Sequence, residues 1–341
     1  MSYSQSTGQR TFKLQRAQLL ADQPQPWCSG LPDLRAINPI PSMICEDESR
    51  FLHWIARHRL SGEGCVVDLG PLAGGSTHAL CSGLALNPAA AGRIQVHSYD
   101  LWRFFSGWEP FFPGVTPKVG DDIHPLFRKN LDAFGDVVVA HPGDLRKHRW
   151  NGGPIEILFI DSAKSVDLWA HMLREFLSHC IPGRTLIVQQ DWVCAECPWI
   201  HLTTARLSEY LVPVDSPSGA TVAFLLQRAI PRALLEEDDF WSQPVSTAAE
   251  RFDRAASWMV GWYGLNVRLA EAHYRVMRGQ TDEALRLVNQ VLSHPDYAPA
   301  VQYDVDLVRA SLQKKKWRWN PMFRSAAYYI WELFKRRKHI K

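Results

Sequence analysis

Between Cys65 and Thr77 the chain reads Cys-Val-Val-Asp-Leu-Gly-Pro-Leu-Ala-Gly-Gly-Ser-Thr, an apolar run that passes into a glycine-rich turn with Asp68 just ahead of it. Such a run is a buried strand, and the turn delivers the chain into a helix. Glycine removes the side chain where a ligand must approach the backbone. Ser76 or Thr77 can cap the helix and leave its free amides facing that ligand. The stretch predicts a nucleotide or nucleoside pocket on an α/β sheet. Two common pockets are disfavoured, because a dinucleotide fingerprint needs glycine at Leu72 and a phosphate loop needs a lysine that the turn lacks.

Downstream, strand and helix signals alternate. Strands are predicted at 65–69, 93–99, 136–140, 155–160 and 184–190, and helices at 76–86, 123–133 and 165–179, with a helix at 45–60 ahead of them. Two further strands, Tyr210–Val214 and Ala220–Gln227, are joined by Asp215-Ser216-Pro217-Ser218-Gly219, a turn sequence that reads as an antiparallel hairpin. The fold class is therefore α/β: a doubly wound, mainly parallel seven-stranded sheet with a closing antiparallel hairpin. Beyond Pro231 the alternation stops, and residues 247–292 read as two or three helices. One degenerate tetratricopeptide-like hairpin is visible there, with Ala272, Tyr274, Gly279, Ala284, Leu285 and Pro295 near that repeat's small and aromatic positions. A single unit cannot stand alone, so a C-terminal all-helical appendage packed on the sheet domain is expected. The chain divides into an N-terminal arm (1–43), a sheet domain (44–230), a helical region (231–313) and a basic aromatic tail (314–341).

Seven cysteines are scattered without a disulfide framework, which suits a reducing, cytoplasmic compartment. Cys194 and Cys197 have half of a zinc spacing with no second pair, and no metal is assigned to them. The first residues lack the apolar core of a signal peptide. The net charge of +3 conceals an asymmetry, since residues 314–341 carry ten Lys or Arg and one Glu. A cationic tail on an acidic body points away from a nucleic-acid-binding catalytic domain. The tail also carries Tyr328, Tyr329, Ile330, Trp331, Leu333 and Phe334 between basic flanks, which suits either an anionic membrane surface or docking on the protein itself.

Four aspartates fall at or just beyond predicted strand ends: Asp100, Asp144, Asp161 and Asp191. In an open α/β sheet the crevice lies beyond those carboxyl ends, so residues far apart in sequence line one pocket. The order of strand, Asp-x-Gly-x-x-x-Gly-Gly-Ser and helix resembles the first motif of class I S-adenosylmethionine-dependent methyltransferases. The segment from Ile157 to Trp192, with Phe-Ile-Asp-x-x-Lys, a helix, Ile-Pro-Gly, a strand and Asp, is similar to small-molecule O-methyltransferases of the catechol and macrolide-sugar type. The resemblance covers residues of about 45–228.

It implies S-adenosylmethionine as cofactor, held by Asp68, Gly70, Gly74, Gly75, Ser76, Asp100 (ribose hydroxyls) and Asp144 (near the adenine). It also implies Asp161 and Asp191 as ligands of a divalent ion and Lys164 as the base that takes the acceptor's proton. The acceptor would be a small molecule or a glycan. Trp192 departs from the family pattern, which has asparagine there, and removes one oxygen ligand from the metal set. Aromatic residues Trp102, Phe104, Phe105, Trp108, Phe111 and Phe112 suggest a lid or acceptor-binding loop. The alternative reading is an inactive scaffold that recruits partners through its helical region.

Overall fold

The computed structural model describes Trp27, Asp33 and residues 37–217, 220–237, 240–259 and 261–313. The basic aromatic tail and most of the N-terminal arm lie outside the described residues. Helix α1 spans Glu46–His58 and begins in a capping box, in which the Cys45 amide donates to Glu48 Oε2 at 2.6 Å. Strand β1 (Cys65–Leu69) leads into α2 (Gly75–Leu84), β2 (Val96–Asp100), α3 (His124–Asn130), β3 (Val138–Pro142) and β4 (Ile155–Ile160). After Ser162 come α4 (Val166–Phe176), β5 (Leu186–Gln189), α5 (Pro198–Arg206), β6 (Leu211–Asp215) and β7 (Val222–Leu226).

The sheet has seven strands in the order β3-β2-β1-β4-β5-β7-β6. Strand β1 pairs in parallel with β2 and β4, and β7 runs antiparallel to both β5 and β6. Strands β1, β4, β5 and β7 are buried along their whole length, as continuous apolar runs in the middle of a sheet require. The expected mainly parallel sheet with a closing antiparallel hairpin is what forms.

The chain falls into two compact units, with the break after Ser162. The first unit holds α1–α3 and β1–β4. Its helices α1 and α2 cross closely, because Gly83 carries no side chain and a Cβ there would collide with the His53 carbonyl oxygen. Inside β4, the buried Glu156 accepts from the amides of Ser61, Glu63 and Gly64 and from the Ser61 hydroxyl at 2.6–3.0 Å. That carboxylate ties the α1–β1 turn to the sheet.

The second unit holds α4, β5–β7 and α5, and continues through α6 (Arg232–Glu236), α7 (Val245–Ser257), α8 (Trp262–Met277), α9 (Thr281–Leu292) and α10 (Gln302–Gln313). Helix α5 packs against α7 and α8, so the C-terminal helices share a core with the hairpin side of the sheet. Ala272, Tyr274 and Ala284 are buried in the α8–α9 pair, and Gly279 takes φ +74° in its connection. Among the described residues no helix is long and apolar enough to cross a membrane.

Candidate functional site

In the first unit the strand β1, its turn and the end of β2 form a single polar knot. Asp68 is fully buried. Its Oδ2 accepts from Ser76 Oγ at 2.8 Å and from Thr77 Oγ1 at 2.6 Å, while its Oδ1 has no hydrogen-bond partner. Burial pushes its pKa up to about 7, and the two hydroxyl donors only partly oppose this. The expected helix cap is therefore corrected: Gly74, at φ +104°, stands at the N-cap of α2 without a side-chain cap. Both hydroxyls turn inward because a buried carboxylate without donors is costly, and Ser76 and Thr77 are themselves buried beside it.

Asp100 ends β2 and organises the turn above it. Its Oδ2 accepts from the Leu72 amide at 3.0 Å and its Oδ1 from the Trp102 amide at 2.7 Å. The Trp102 indole is fully buried and closes the loop by donating to the Leu72 carbonyl at 2.8 Å. Each carboxylate oxygen keeps acceptor capacity, since one amide uses one of its lone-pair directions. Withdrawal from water raises the Asp100 pKa against the pull of those amides.

The glycines of the turn make room for the protein itself. A Cβ on Gly70 would stand 3.1 Å from the Asp161 carbonyl carbon, and one on Gly74 would stand 3.1 Å from the Leu131 side chain. On Gly75 it would collide with Ser42. Asp161 lies just past β4, with its amide donating to the Leu69 carbonyl at 2.8 Å.

Asp144 follows β3, where Gly143 donates its amide to the Asp100 carbonyl at 2.9 Å. Its carboxylate caps the turn 145–147 and binds the Arg146 guanidinium at 2.8 Å, which holds its pKa below the usual carboxylate range. The loop after β2 spends part of its aromatics on a core of its own, with Phe105 and Trp108 left half-buried. Phe104, Phe111 and Phe112 are buried, and the Phe104 amide and carbonyl bond Asp121 and Gly120 at 2.9 Å.

The second unit brings Lys164 and Asp191 together as an ion pair. Asp191 is buried and adopts φ +60°, and its other oxygen, Oδ1, accepts from the Cys194 thiol at 3.7 Å. Burial beside Asp191 and Asp304 drives the Cys194 thiol pKa well up, so the sulfur keeps its proton. Beyond it, the Ala195 amide donates to Asp304 Oδ1 at 3.2 Å, and burial lifts the Asp304 pKa to about 7. Gln190, next to Asp191, is buried with neither amide atom partnered.

These residues do not fit a divalent ion. Both oxygens of Asp191 face protein donors. Trp192 is sunk in the core with its indole nitrogen donating to Thr204 Oγ1 at 3.1 Å, so this position offers no oxygen, and the Lys164 ammonium occupies the Asp191 oxygen that a hard cation would use. Among the described residues no group of three His, Cys, Asp or Glu side chains is placed to hold a metal.

Reasoning from sequence singled out Asp68, Asp100, Lys164 and Asp191, which carry the hydrogen bonds and the ion pair just described. It missed Cys194 as a partner of Asp191, and it missed Trp102 and Leu72 as the residues gathered by Asp100. Their signal was proximity in sequence to the strand ends, which alone does not reveal a hydrogen-bond partner.

No protein-family model matches the chain. No curated protein matches it either. Among solved structures it is similar to the crystal structure of CalS11, a calicheamicin methyltransferase, at 12% identity and a TM-score of 0.41, over 66% of this chain and 94% of that one.

Proposed function

We propose that the chain is an S-adenosylmethionine-dependent methyltransferase that methylates an oxygen of a small molecule or glycan. The observation that carries this reading is the knot at the carboxyl ends of β1 and β2. Asp68 keeps a buried, unpartnered acceptor there, and Asp100 holds the glycine-rich turn through the Leu72 amide and its own loop through the Trp102 amide while retaining acceptor capacity. An orphaned buried acceptor fits a cationic or amine-bearing ligand, and a strand-end carboxylate fits a ribose diol. Asp68 and Asp100 would hold the nucleoside, with Gly70 allowing the turn to lie on the backbone after β4.

The bound sulfonium supplies an already activated methyl group. The protein's tasks are to orient the acceptor, exclude water and stabilise charge on the acceptor oxygen. Lys164, fixed by Asp191, is suited to the last task as a hydrogen-bond donor and positive charge. That arrangement favours a donor over the proton-accepting role implied by the family resemblance. Asp144, already committed to Arg146, contributes less to a nucleoside than Asp100 does.

Isothermal calorimetry with S-adenosylhomocysteine tests the reading. Saturable binding by the wild type is expected, weakened about tenfold or more in Asp100→Asn, as loss of a charge-assisted hydrogen bond predicts. Absence of heat and of thermal stabilisation at millimolar ligand would sink the enzyme reading and leave the scaffold alternative.

A further inference from the structure

We infer that Lys164 supplies, as part of the fold, the positive charge for which a catechol-type site recruits a divalent ion, and that the reaction runs without one. The electrostatic role at the acceptor rests on the methyltransferase reading, whereas the occupied carboxylate does not. Asp191 is buried, and a buried carboxylate needs a counter-charge or donors on both oxygens. The structure provides both from the chain: the Lys164 ammonium on Oδ2 and the Cys194 thiol on Oδ1.

Asp191 also adopts a left-handed backbone, a conformation that a non-glycine residue keeps only where its surroundings impose it. The residue after it, Trp192, is directed into the core by Thr204, His201, Phe224 and Trp258. An ammonium in contact with the carboxylate repels a second cation and takes the oxygen that the cation would use. Removing the amine leaves an uncompensated buried carboxylate, which a divalent ion can then neutralise.

Manganese, followed by the loss of its free-ion electron paramagnetic resonance signal, tests this on the full chain without any need for turnover. The wild type is expected to leave the signal unchanged at millimolar Mn²⁺. Lys164→Ala is expected to bind Mn²⁺ more than about tenfold more tightly than wild type, and Lys164→Ala/Asp191→Asn is expected to lose that binding. Lys164→Gln serves where Lys164→Ala does not fold.

Wild-type Mn²⁺ binding that disappears in Asp191→Asn would overturn the inference. So would a folded Lys164 variant that takes up no Mn²⁺. In the same samples, S-adenosylhomocysteine binding unaffected by EDTA is expected. Failure to bind the nucleoside at all would count against the methyltransferase reading and leave the manganese result standing.

Discussion

Among the described residues three non-glycine residues adopt positive φ, namely Leu72 (52°), Trp102 (45°) and Asp191 (60°), and each stands just past the carboxyl end of a strand. Each such residue costs roughly 1 kcal/mol. The contacts that hold them are Asp100 and the Trp102 indole for the first two, and Lys164 with Cys194 for the third. Asp68 permits a prediction with a definite sign. Its folded pKa of about 7 lies above the unfolded value of 3.8, so the native state binds the extra proton between those limits and the stability contributed by Asp68 falls as the pH rises through that window. Asp68→Asn removes this slope. Its unfolding free energy is expected to gain on wild type between pH 4 and pH 8, by about 2–4 kcal/mol at the upper end, measured by urea unfolding across that range. A gap independent of pH would show that Asp68 ionises normally. The place of Asp68 was legible in the sequence. That its donors would be the hydroxyls expected to cap α2 was not, because a cap and an inward hydrogen bond use the same residues.

At the scale of elements, nearly every strand was legible because β1, β4, β5 and β7 are apolar runs bounded by turn residues. Helices α5, α6 and α10 were not. Helix α5 is buried on almost every side, so it shows no amphipathic stripe, and α10 buries Asp304 among Val305, Leu307 and Val308. The aromatic loop after β2, expected as a lid or acceptor-binding loop, buries Phe104, Phe111 and Phe112 and packs Phe104 edge-on against Phe112, since a long connection needs its own apolar core to stay ordered. The crossing of α1 and α2 depends on one glycine. Gly83→Ala would press a methyl group into the His53 carbonyl, a backbone atom that cannot rotate away, and is expected to lose about 1–3 kcal/mol in urea unfolding. Gly264→Ala in α8 meets nothing closer than 3.5 Å and is expected to gain about 0.5–1 kcal/mol instead. Equal effects at the two sites would refute the close crossing.

Across the whole molecule, the C-terminal helices belong to the same unit as β5–β7 and cover its aromatic residues. Trp192 packs on Trp258, Trp199 on Phe240 and His201 on Phe252. A chain ending at Gln227 would expose these groups, at about 1.5–3 kcal/mol for each large side chain, which rivals the roughly 5–15 kcal/mol stability of a domain. It is expected to lose near-ultraviolet circular dichroism, while a chain ending at Gln313 is expected to keep the full-length unfolding transition. The tail beyond Gln313 is proposed to bind anionic membranes. Co-sedimentation with phosphatidylserine vesicles by the full chain, abolished in the chain ending at Gln313, is the expected result. The sequence by itself determined the order of the strands, the sheet and the carboxylates at its strand ends, because apolar runs, glycine turns and strand termini are local properties of the chain. Only the tertiary structure decided the partner of each polar group. Lys164 and Asp191 stand 27 residues apart and Asp304 and Ala195 stand 109 apart, and such pairings follow from which surfaces pack together and which buried charges must then be neutralised.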